Sequence, residues 1–370
     1  MAESHLHIVS FDIPFPADYG GVIDVFYRLK ALSETGVKIH LHCFEYGRER
    51  ADELDKYCAS VHYYHRYKSP RHLMSSEPFI VETRKNPELL KNLSKDKYPI
   101  LFEGLHTTAF LNHAKLRNRI KLVRAHNVEH AYYRKLAEAE TNPFRKLFFK
   151  TETKKLKRYE SILKSADGIL AISAKDQKHF QKLYGNSTLI NPFHPIELME
   201  IGGEGAYAFY HGNLSVAENK TALEYLLNQV FIKTRVPLVV AGKDAVRAVK
   251  AIDSKIKNLS VVNNPSSAEM LELAKNASVH ALPTFQDTGF KLKLLYSLAT
   301  APAIVVNQQM VANTGLEEFC EIAISPEEMA KKVTELHQSP PDKGMLKKRE
   351  SYLSTHFSNH QNALKIKSLF

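Results

Sequence analysis

Short apolar runs alternate with amphipathic stretches along most of the chain. Residues 7–11 form a strand-length run, and the loop after it carries Pro14, Pro16 and the pair Gly20-Gly21. Val22, Val25, Phe26, Leu29 and Leu32 then recur at helical spacing, with Gly36 where a helix C-cap would stand. Residues 37–44 read as the next strand, and strand–helix–strand order implies a parallel pair. Residues 100–102, 121–123 and 168–172 are further strand candidates. The pattern lapses after Asn191-Pro192 into a loop with Gly202, Gly203 and Gly205. It restarts with strands predicted at 207–210, 237–241 and 259–262 and helices over 222–231 and 268–275. A strand at 279–282, a polar loop with Asp287, a helix over 290–299 and a strand at 303–306 complete this second array. Residues 347–370 read as a helix with no strand after it. The fold class predicted is α/β: two doubly wound Rossmann-like domains, residues 1–193 and 194–345, with a C-terminal helix over 346–370 returning to the first.

A chain of 370 residues is long for one ordinary core, which agrees with two domains. The apolar fraction of 44% is that of a globular protein. No apolar run approaches the length of a membrane span, and the N-terminus lacks the basic-then-apolar pattern of a signal peptide. Cys43, Cys58 and Cys320 are scattered without metal-ligand spacing, which suggests reduced thiols in a cytoplasmic protein. The formal charge of +11 points to an anionic partner. No nucleic-acid-binding motif accompanies that charge, so nucleic acid is not expected as a partner. The segment from Arg145 to Arg158, RKLFFKTETKKLKR, holds seven Lys/Arg and one acid, and Leu147, Phe148, Phe149 and Leu156 give it an apolar side. Such a helix either suits an anionic membrane surface, placing the protein on the inner face of the cytoplasmic membrane, or packs its stripe inward with its lysines solvated.

In doubly wound sheets, ligands sit in loops at the carboxyl ends of strands. In the loop after residue 282, the backbone N–H groups of Thr288, Gly289 and Phe290 open a helix, and Lys291 and Lys293 add two ammonium groups. That set suits a phosphate or diphosphate. For Lys293 a solvated helix face is an equal reading. Gly20 and Gly21 permit close approach to a sugar or phosphate, or a tight turn. Gly212, Asn213 and Lys220 follow another strand, and Glu103 and His106 lie just past a third. Arg124, His126, Asn127 and Glu129 crowd polar groups after a strand, where they either face a ligand or satisfy one another with Asn127 capping the next helix. His126 and His130 stand four apart without a third ligand, so no metal is expected.

Tyr210-His211-Gly212-Asn213-Leu214 followed by Glu218-Asn219 resembles the "GN(L/M)…N" opening of a glycosyltransferase C-terminal domain. The run from Ala166 to Ser173, ADGILAIS, resembles the strand before the interdomain crossover. The run from Thr288 to Leu295, TGFKLKLL, resembles the donor loop, and the run from Arg124 to Glu129, RAHNVE, is similar to an "R.HN.E" segment. Together they resemble the retaining, GT4-like glycosyltransferases of GT-B architecture, in a bacterial mannosyl- and capsular-type subset. That resemblance implies an interdomain cleft, a nucleotide-sugar donor, a glycan or lipid-linked acceptor in surface polysaccharide synthesis, and no metal or other cofactor. It implies His106, with Glu103, at the reacting sugar, and Lys291 and Lys220 on the diphosphate. Arg124, His126, Asn127 and Glu129 would contact the acceptor or the donor in the cleft. The family's paired glutamates, the second on the ribose, fall on Thr288 and Tyr296. Those departures favour one alternative, an inactive GT-B-like binding subunit or scaffold; a second is a nucleotide-sugar isomerase of the same fold that needs no acceptor.

Overall fold

The computed structural model describes residues 3–18, 20–196, 205–286, 291–312 and 314–370. Thr288, Gly289 and Phe290 of the expected donor loop lie outside the described residues. The chain divides into two compact units, Met1–Pro195 with His356–Phe370, and Ile196–Thr355.

The sheet of the first unit contains β1 (Ser4–Ser10), β2 (Val37–Glu45), β3 (Ser60–His65), β4 (Ile100–Glu103), β5 (Lys121–Ala125), β6 (Gly168–Ala171) and β7 (Ser187–Leu189). They lie in the order β3-β2-β1-β4-β5-β6-β7, all parallel. A parallel sheet carries helices on both faces, so its strands must be apolar on both sides. On one face Leu6, Ile8, Ile39 and Leu41 pack against Val25, Leu29 and Leu32 of helix Gly20–Glu34. On the other, Val9, Phe44, Phe102 and Val123 pack against Leu156 and Phe180. Most of these side chains are fully buried, worth roughly 1.5–3 kcal/mol each against exposure.

That second face turns polar toward the start of β1 and β2. His7 stands opposite His40 in the β1–β2 register, and His42 opposite His62 in β2–β3. The imidazoles join an oriented chain of hydrogen bonds. Asn92 Nδ2 donates to Tyr64 Oη (2.8 Å), Tyr64 Oη to His42 Nδ1 (2.8 Å), His42 Nε2 to His7 Nδ1 (2.8 Å), and His7 Nε2 to Asp96 Oδ1 (3.0 Å). Burial drives the His7 pKa from 6.5 down to about 4, although Asp96 opposes it, and drives His42 well below the usual range.

The C-terminal region is two helices, not the single helix expected. Helix Lys343–His356 ends before the buried Phe357, and Ser358 caps helix Asn359–Lys367 by accepting from Gln361 N at 3.2 Å. Ala363 and Ile366 of the last helix join the core beside helix Gly20–Glu34. Asn191 Nδ2 donates to His356 O (2.8 Å), and Asn359 Nδ2 to His194 O (2.7 Å), fixing this tail to its own unit.

The second unit contains β8 (Tyr207–His211), β9 (Leu238–Gly242), β10 (Leu259–Asn263), β11 (Ala277–Leu282), β12 (Ala303–Asn307) and β13 (Glu321–Ala323). Their order is β10-β9-β8-β11-β12-β13, again parallel throughout. The helix expected over 222–231 instead runs Ala217–Tyr225 and widens into a π-type turn at Leu226–Val230. Both units are thus Rossmann-like, and in each the strand order reverses between the first and fourth strands, β1/β4 and β8/β11. Strands β3, β7 and β13 are elements that the apolar pattern did not reveal.

Candidate functional site

The crevice for a ligand in such a sheet opens where the strand order reverses, at the carboxyl ends. In the second unit that point carries Gly212 after β8 and Thr284 after β11. Gly212 has φ +154°, and a Cβ on Gly242 (φ +146°) would lie 1.9 Å from Gly212 O. Only glycine fits at 242, where the ends of β8 and β9 approach closely. Around them Glu218 Oε1 accepts from Thr284 Oγ1 (2.7 Å) and Lys291 Nζ (3.2 Å). Lys293 Nζ donates to Asn219 Oδ1 (2.7 Å) and stands 5.3 Å above the Tyr210 ring. Asn219 in turn donates to Asn213 O (2.9 Å).

Lys293 is therefore not on a solvated helix face. Burial lowers its pKa to about 8, with Lys291 adding repulsion and Glu218 opposing it. Lys291 and Lys293 come together with Gly212 and Asn213, as the strand–loop reading implied. Lys220 does not join them; it is exposed on helix Ala217–Tyr225. The half-buried Tyr296 ring packs against the small core cluster that contains Phe209, Val239 and Ala241, edge-on to His211 at 5.2 Å. Glu218, Asn219 and Thr284 complete the set. The sequence displayed Glu218-Asn219 as a motif without showing which lysines they meet.

In the first unit Phe11 follows β1 and His106 follows β4, so the pair straddles the reversal point. The Phe11 ring lies 5.4 Å from that of His106 and 5.5 Å from that of His126. Gly104 turns the chain with φ +64°, and a Cβ there would meet His106 Nδ1 at 2.8 Å. His106 Nδ1 is buried and has no hydrogen-bond partner. Burial, then the charges of Arg84, His126 and Arg66, hold the His106 pKa well below its ordinary value. At neutral pH the ring is uncharged and suited to hydrogen bonding with a sugar hydroxyl.

Glu103 takes a different place from the direct substrate contact expected. It is fully buried; Oε1 accepts from Arg28 Nη2 and Oε2 bonds His126 Nε2 at 3.0 Å. It can orient His126 but cannot touch a substrate. Arg124 is equally sealed. Its Nη2 donates to Asp24 Oδ1 (2.8 Å) and its Nη1 to Ile190 O (2.5 Å), while Arg28 Nη1 donates to Asp24 Oδ2 (2.8 Å). Burial would raise the Asp24 pKa, but Arg124 and Arg28 hold it well below the carboxylate range. Asp24, Glu103 and His126 bring ligand atoms within 4.8 Å of one another. Their oxygens already accept from two guanidinium groups, which supply the positive charge a cation would bring. That donor set does not fit a metal ion.

The polar segment after β5 is divided. His126 faces Phe11, while His130 bonds Glu160 (3.0 Å). Asn127 does not cap the following helix; Val128 takes the N-cap without a side-chain bond. Glu129 is buried, and burial with nearby Asp176 and Glu160 pushes its pKa up to about 8. Gly20 opens helix Gly20–Glu34 with open space where a Cβ would stand, so the turn does not demand glycine there. Gly21 is the second residue of the same helix.

On helix Pro143–Tyr159, Phe148 and Phe149 turn inward against Phe79 and Tyr133, but Leu147 and Phe144 are exposed. Lys155 is not a surface charge. Its Nζ is held by Glu152 Oε1 (2.9 Å) and Leu73 O (2.9 Å). Arg145, Lys150, Lys154, Lys157 and Arg158 are exposed.

No family model matches the chain. It is 26% identical over 344 residues, 87% of each chain, to an "Uncharacterized 44.6 kDa protein in cps region" of Klebsiella pneumoniae. Anabaena Alr3699/HepE, solved with UDP and glucose, superposes over 99% of this chain and 98% of its own, with TM-score 0.63 and 10% identity. Arabidopsis thaliana UGT89C1, solved with UDP-L-rhamnose, superposes over 100% and 99%, with TM-score 0.57 and 12% identity. The fold shared with these structures is GT-B, two parallel-sheet Rossmann-like units in tandem.

Proposed function

We propose that this protein is a glycosyltransferase that moves a sugar from a nucleotide-diphosphate donor to a glycan or lipid-linked acceptor. The observation that carries the reading is the reversal-point crevice of the second unit. There Gly212 ends β8 against the side chain of Asn219, which binds Lys293, with Lys291 held by the neighbouring Glu218. A departing nucleoside diphosphate gains negative charge, and preformed cations at that point stabilise it. The free N–H groups at the start of helix Leu292–Thr300 add to that field. Thr288, Gly289 and Phe290 are assigned to the same donor loop, and Gly20 and Gly21 to close backbone approach. Tyr296 is given a donor role through its hydroxyl alone. UDP and glucose bound to HepE, and UDP-L-rhamnose bound to UGT89C1, support a nucleotide-sugar on this fold.

His106 and His126, flanking Phe11, are assigned to substrate hydroxyls, with Asn127 and Glu129 nearer the acceptor. Retention of configuration, a hexosyl or mannosyl donor, and a role in surface polysaccharide synthesis rest on the family resemblance. The relative in a cps region is consistent with the last. Phe144 and Leu147 among exposed cations suit peripheral attachment to an anionic membrane, where a lipid-linked acceptor would reside. Among the described residues no helix is long and apolar enough to cross a membrane.

One observation favours a second reading, a binding subunit without turnover. Glu218 already neutralises Lys291, and Tyr296 occupies packing space where the family has a carboxylate. A thermal-shift screen of UDP, GDP, ADP and dTDP, free and with their common sugars, tests both. A ligand at a hundred times its dissociation constant adds about 2.7 kcal/mol. We expect one nucleotide to stabilise the protein and Lys291→Ala to abolish the shift. No shift with any nucleotide refutes the donor site. A Lys291-dependent shift without sugar transfer or nucleotide release selects the binding subunit.

A further inference from the structure

The first unit carries a second cationic cluster, remote in sequence from every motif above. Tyr46 directly follows β2, Arg66 directly follows β3, and Arg84 follows the short helix Phe79–Glu82. Both arginines are buried, at 6% and 4% exposure. Arg66 Nε donates to Thr83 Oγ1 (2.9 Å), and its guanidinium lies 4.2 Å from the Tyr46 ring centroid. Arg84 Nε donates to Phe11 O (3.0 Å), Nη1 donates to Ile80 O (2.8 Å), and its guanidinium lies 5.8 Å from the same ring. Lys68 Nζ stands 4.5 Å from the half-exposed Tyr46.

Among the described residues, neither guanidinium forms an ion pair with a carboxylate. Asp12 is the acid whose charge acts on Arg84. Arg66 Nη1 and Nη2 and Arg84 Nη2 have no hydrogen bond to the described residues, and none of the three is sealed from solvent. His106 Nδ1, buried and without a partner, belongs to the same neighbourhood, since Arg84 and Arg66 both act on its charge. Burial, with repulsion from Arg66 adding to it, brings the Arg84 pKa down to about 9. Buried like charges without a counter-ion are destabilising unless a ligand supplies one. All these groups lie beyond the carboxyl ends of β1 to β4, the edge where a doubly wound sheet receives ligands.

We propose that Arg66 and Arg84, with Lys68 and His106 at the margin, form a subsite for a phosphate or diphosphate group. Its residues all belong to the first unit, and none is shared with the lysine crevice. Two forked guanidiniums with three free N–H-bearing nitrogens match the several oxygens of a phosphate better than a single carboxylate. Tyr46 holds Arg66 and Lys68 from the solvent side. Only the identification of this phosphate as the acceptor's rests on the glycosyltransferase reading.

The test uses the full chain carrying Lys291→Ala, which removes the other phosphate site, and inorganic pyrophosphate as probe. Titration calorimetry is expected to show one binding event that Arg84→Gln and Arg66→Gln each weaken at least about tenfold. In a histidine-labelled protein the same titration should move the His106 ring resonances. Circular dichroism confirms that each variant is folded; if Arg84→Gln is not, Arg66→Gln alone decides. Glucose 1-phosphate and a micellar polyprenyl diphosphate then separate the sources. Arginine-dependent binding of either supports the subsite, the first indicating a soluble acceptor and the second a lipid-linked one. Affinity for pyrophosphate that is absent in Lys291→Ala, or unchanged by both arginine substitutions, overturns it. The nucleotide screen is read separately through Lys291, so failure of one does not imply failure of the other.

Discussion

Protonating His7 breaks an oriented chain of hydrogen bonds at its centre. His7 Nδ1 accepts from His42 while Nε2 donates to Asp96, so a proton on Nδ1 turns two N–H groups toward each other. The ring is 4% exposed, and water cannot take over the lost bond. The pKa falls from 6.5 to about 4, so the unfolded chain binds more protons than the folded one between those values. Stability is therefore full above pH 6.5 and falls as pH drops toward 4. At about 1.36 kcal/mol per pKa unit the whole effect is about 3.4 kcal/mol, and about 2 kcal/mol of it has gone by pH 5. Glu129, held up at about 8, works the other way, because acidification relieves the strain of ionising it. Wild type alone would mix His7 with Glu129 and with the other buried histidines, His42, His106, His211 and His280. The measurement is urea unfolding by far-ultraviolet circular dichroism, from pH 7.5 to 4.5, of wild type and His7→Gln. Glutamine can still donate to Asp96 and accept from His42, but it does not titrate. The wild-type advantage should shrink by about 2 kcal/mol between pH 7.5 and 5 in the transition of the first unit. A difference independent of pH would refute the reasoning.

Glu103→Gln leaves Arg28 short of a buried counter-charge and should lower stability by about 3–5 kcal/mol, read as a fall in Tm of the first unit. Nucleotide affinity should decline as pH rises above 8, because Lys293, held at about 8, loses the proton that pairs with a diphosphate; Lys293→Arg should flatten that profile in calorimetry. Glu218→Gln releases Lys291 without removing it, and nucleotide binding should hold or tighten; a clear loss would make the carboxylate part of the donor site. Glutamine at Lys150, Lys154, Lys157 and Arg158 together should weaken sedimentation with anionic vesicles, by roughly fivefold per charge. Lys155→Gln should instead destabilise the fold, since its ammonium is internal.

The strands that the sequence revealed are those with apolar residues on both faces. Val239, Val240, Ile304 and Val305 leave no other reading for β9 and β12. β3, with the sequence SVHYYH, hides because its inward groups are imidazole and phenol rings whose burial depends on partners from β1, β2 and the helix carrying Asn92. β7 and β13 are three-residue edge strands, too short for any period to emerge. The buried ion-pair cluster was half legible. Glu103, Arg124 and His126 stand out as polar groups against strands, whereas Asp24 and Arg28, four apart beside the stripe of Val25 and Leu29, read locally as an ordinary i, i+4 pair on a helix. Arg66 and Arg84 gave none. Their meeting depends on where β3 and helix Phe79–Glu82 end, which no local pattern records.

The resemblance to glycosyltransferases makes position 296 a question of lost chemistry, and the packing gives it a different weight. Tyr296 lies on helix Leu292–Thr300 with its ring against the small core cluster that contains Phe209, Val239 and Ala241, and edge-on to His211. His211 and His280 both bond Ser297 Oγ, at 2.9 and 2.7 Å, so a neutral polar knot lies directly beneath that ring. Burial holds both imidazoles well below their ordinary pKa, and an ionised glutamate at 296 would favour protonating His211 in their midst. A glutamate there would thus disturb the helix–sheet layer before it reached a ribose. Glu218 is a carboxylate the described crevice provides, and it is tied to Thr284 and Lys291 at the carboxyl end of β11. The departure at 296 is then an exchange of packing for a carboxylate, and it leaves the cationic crevice of Lys291 and Lys293 intact.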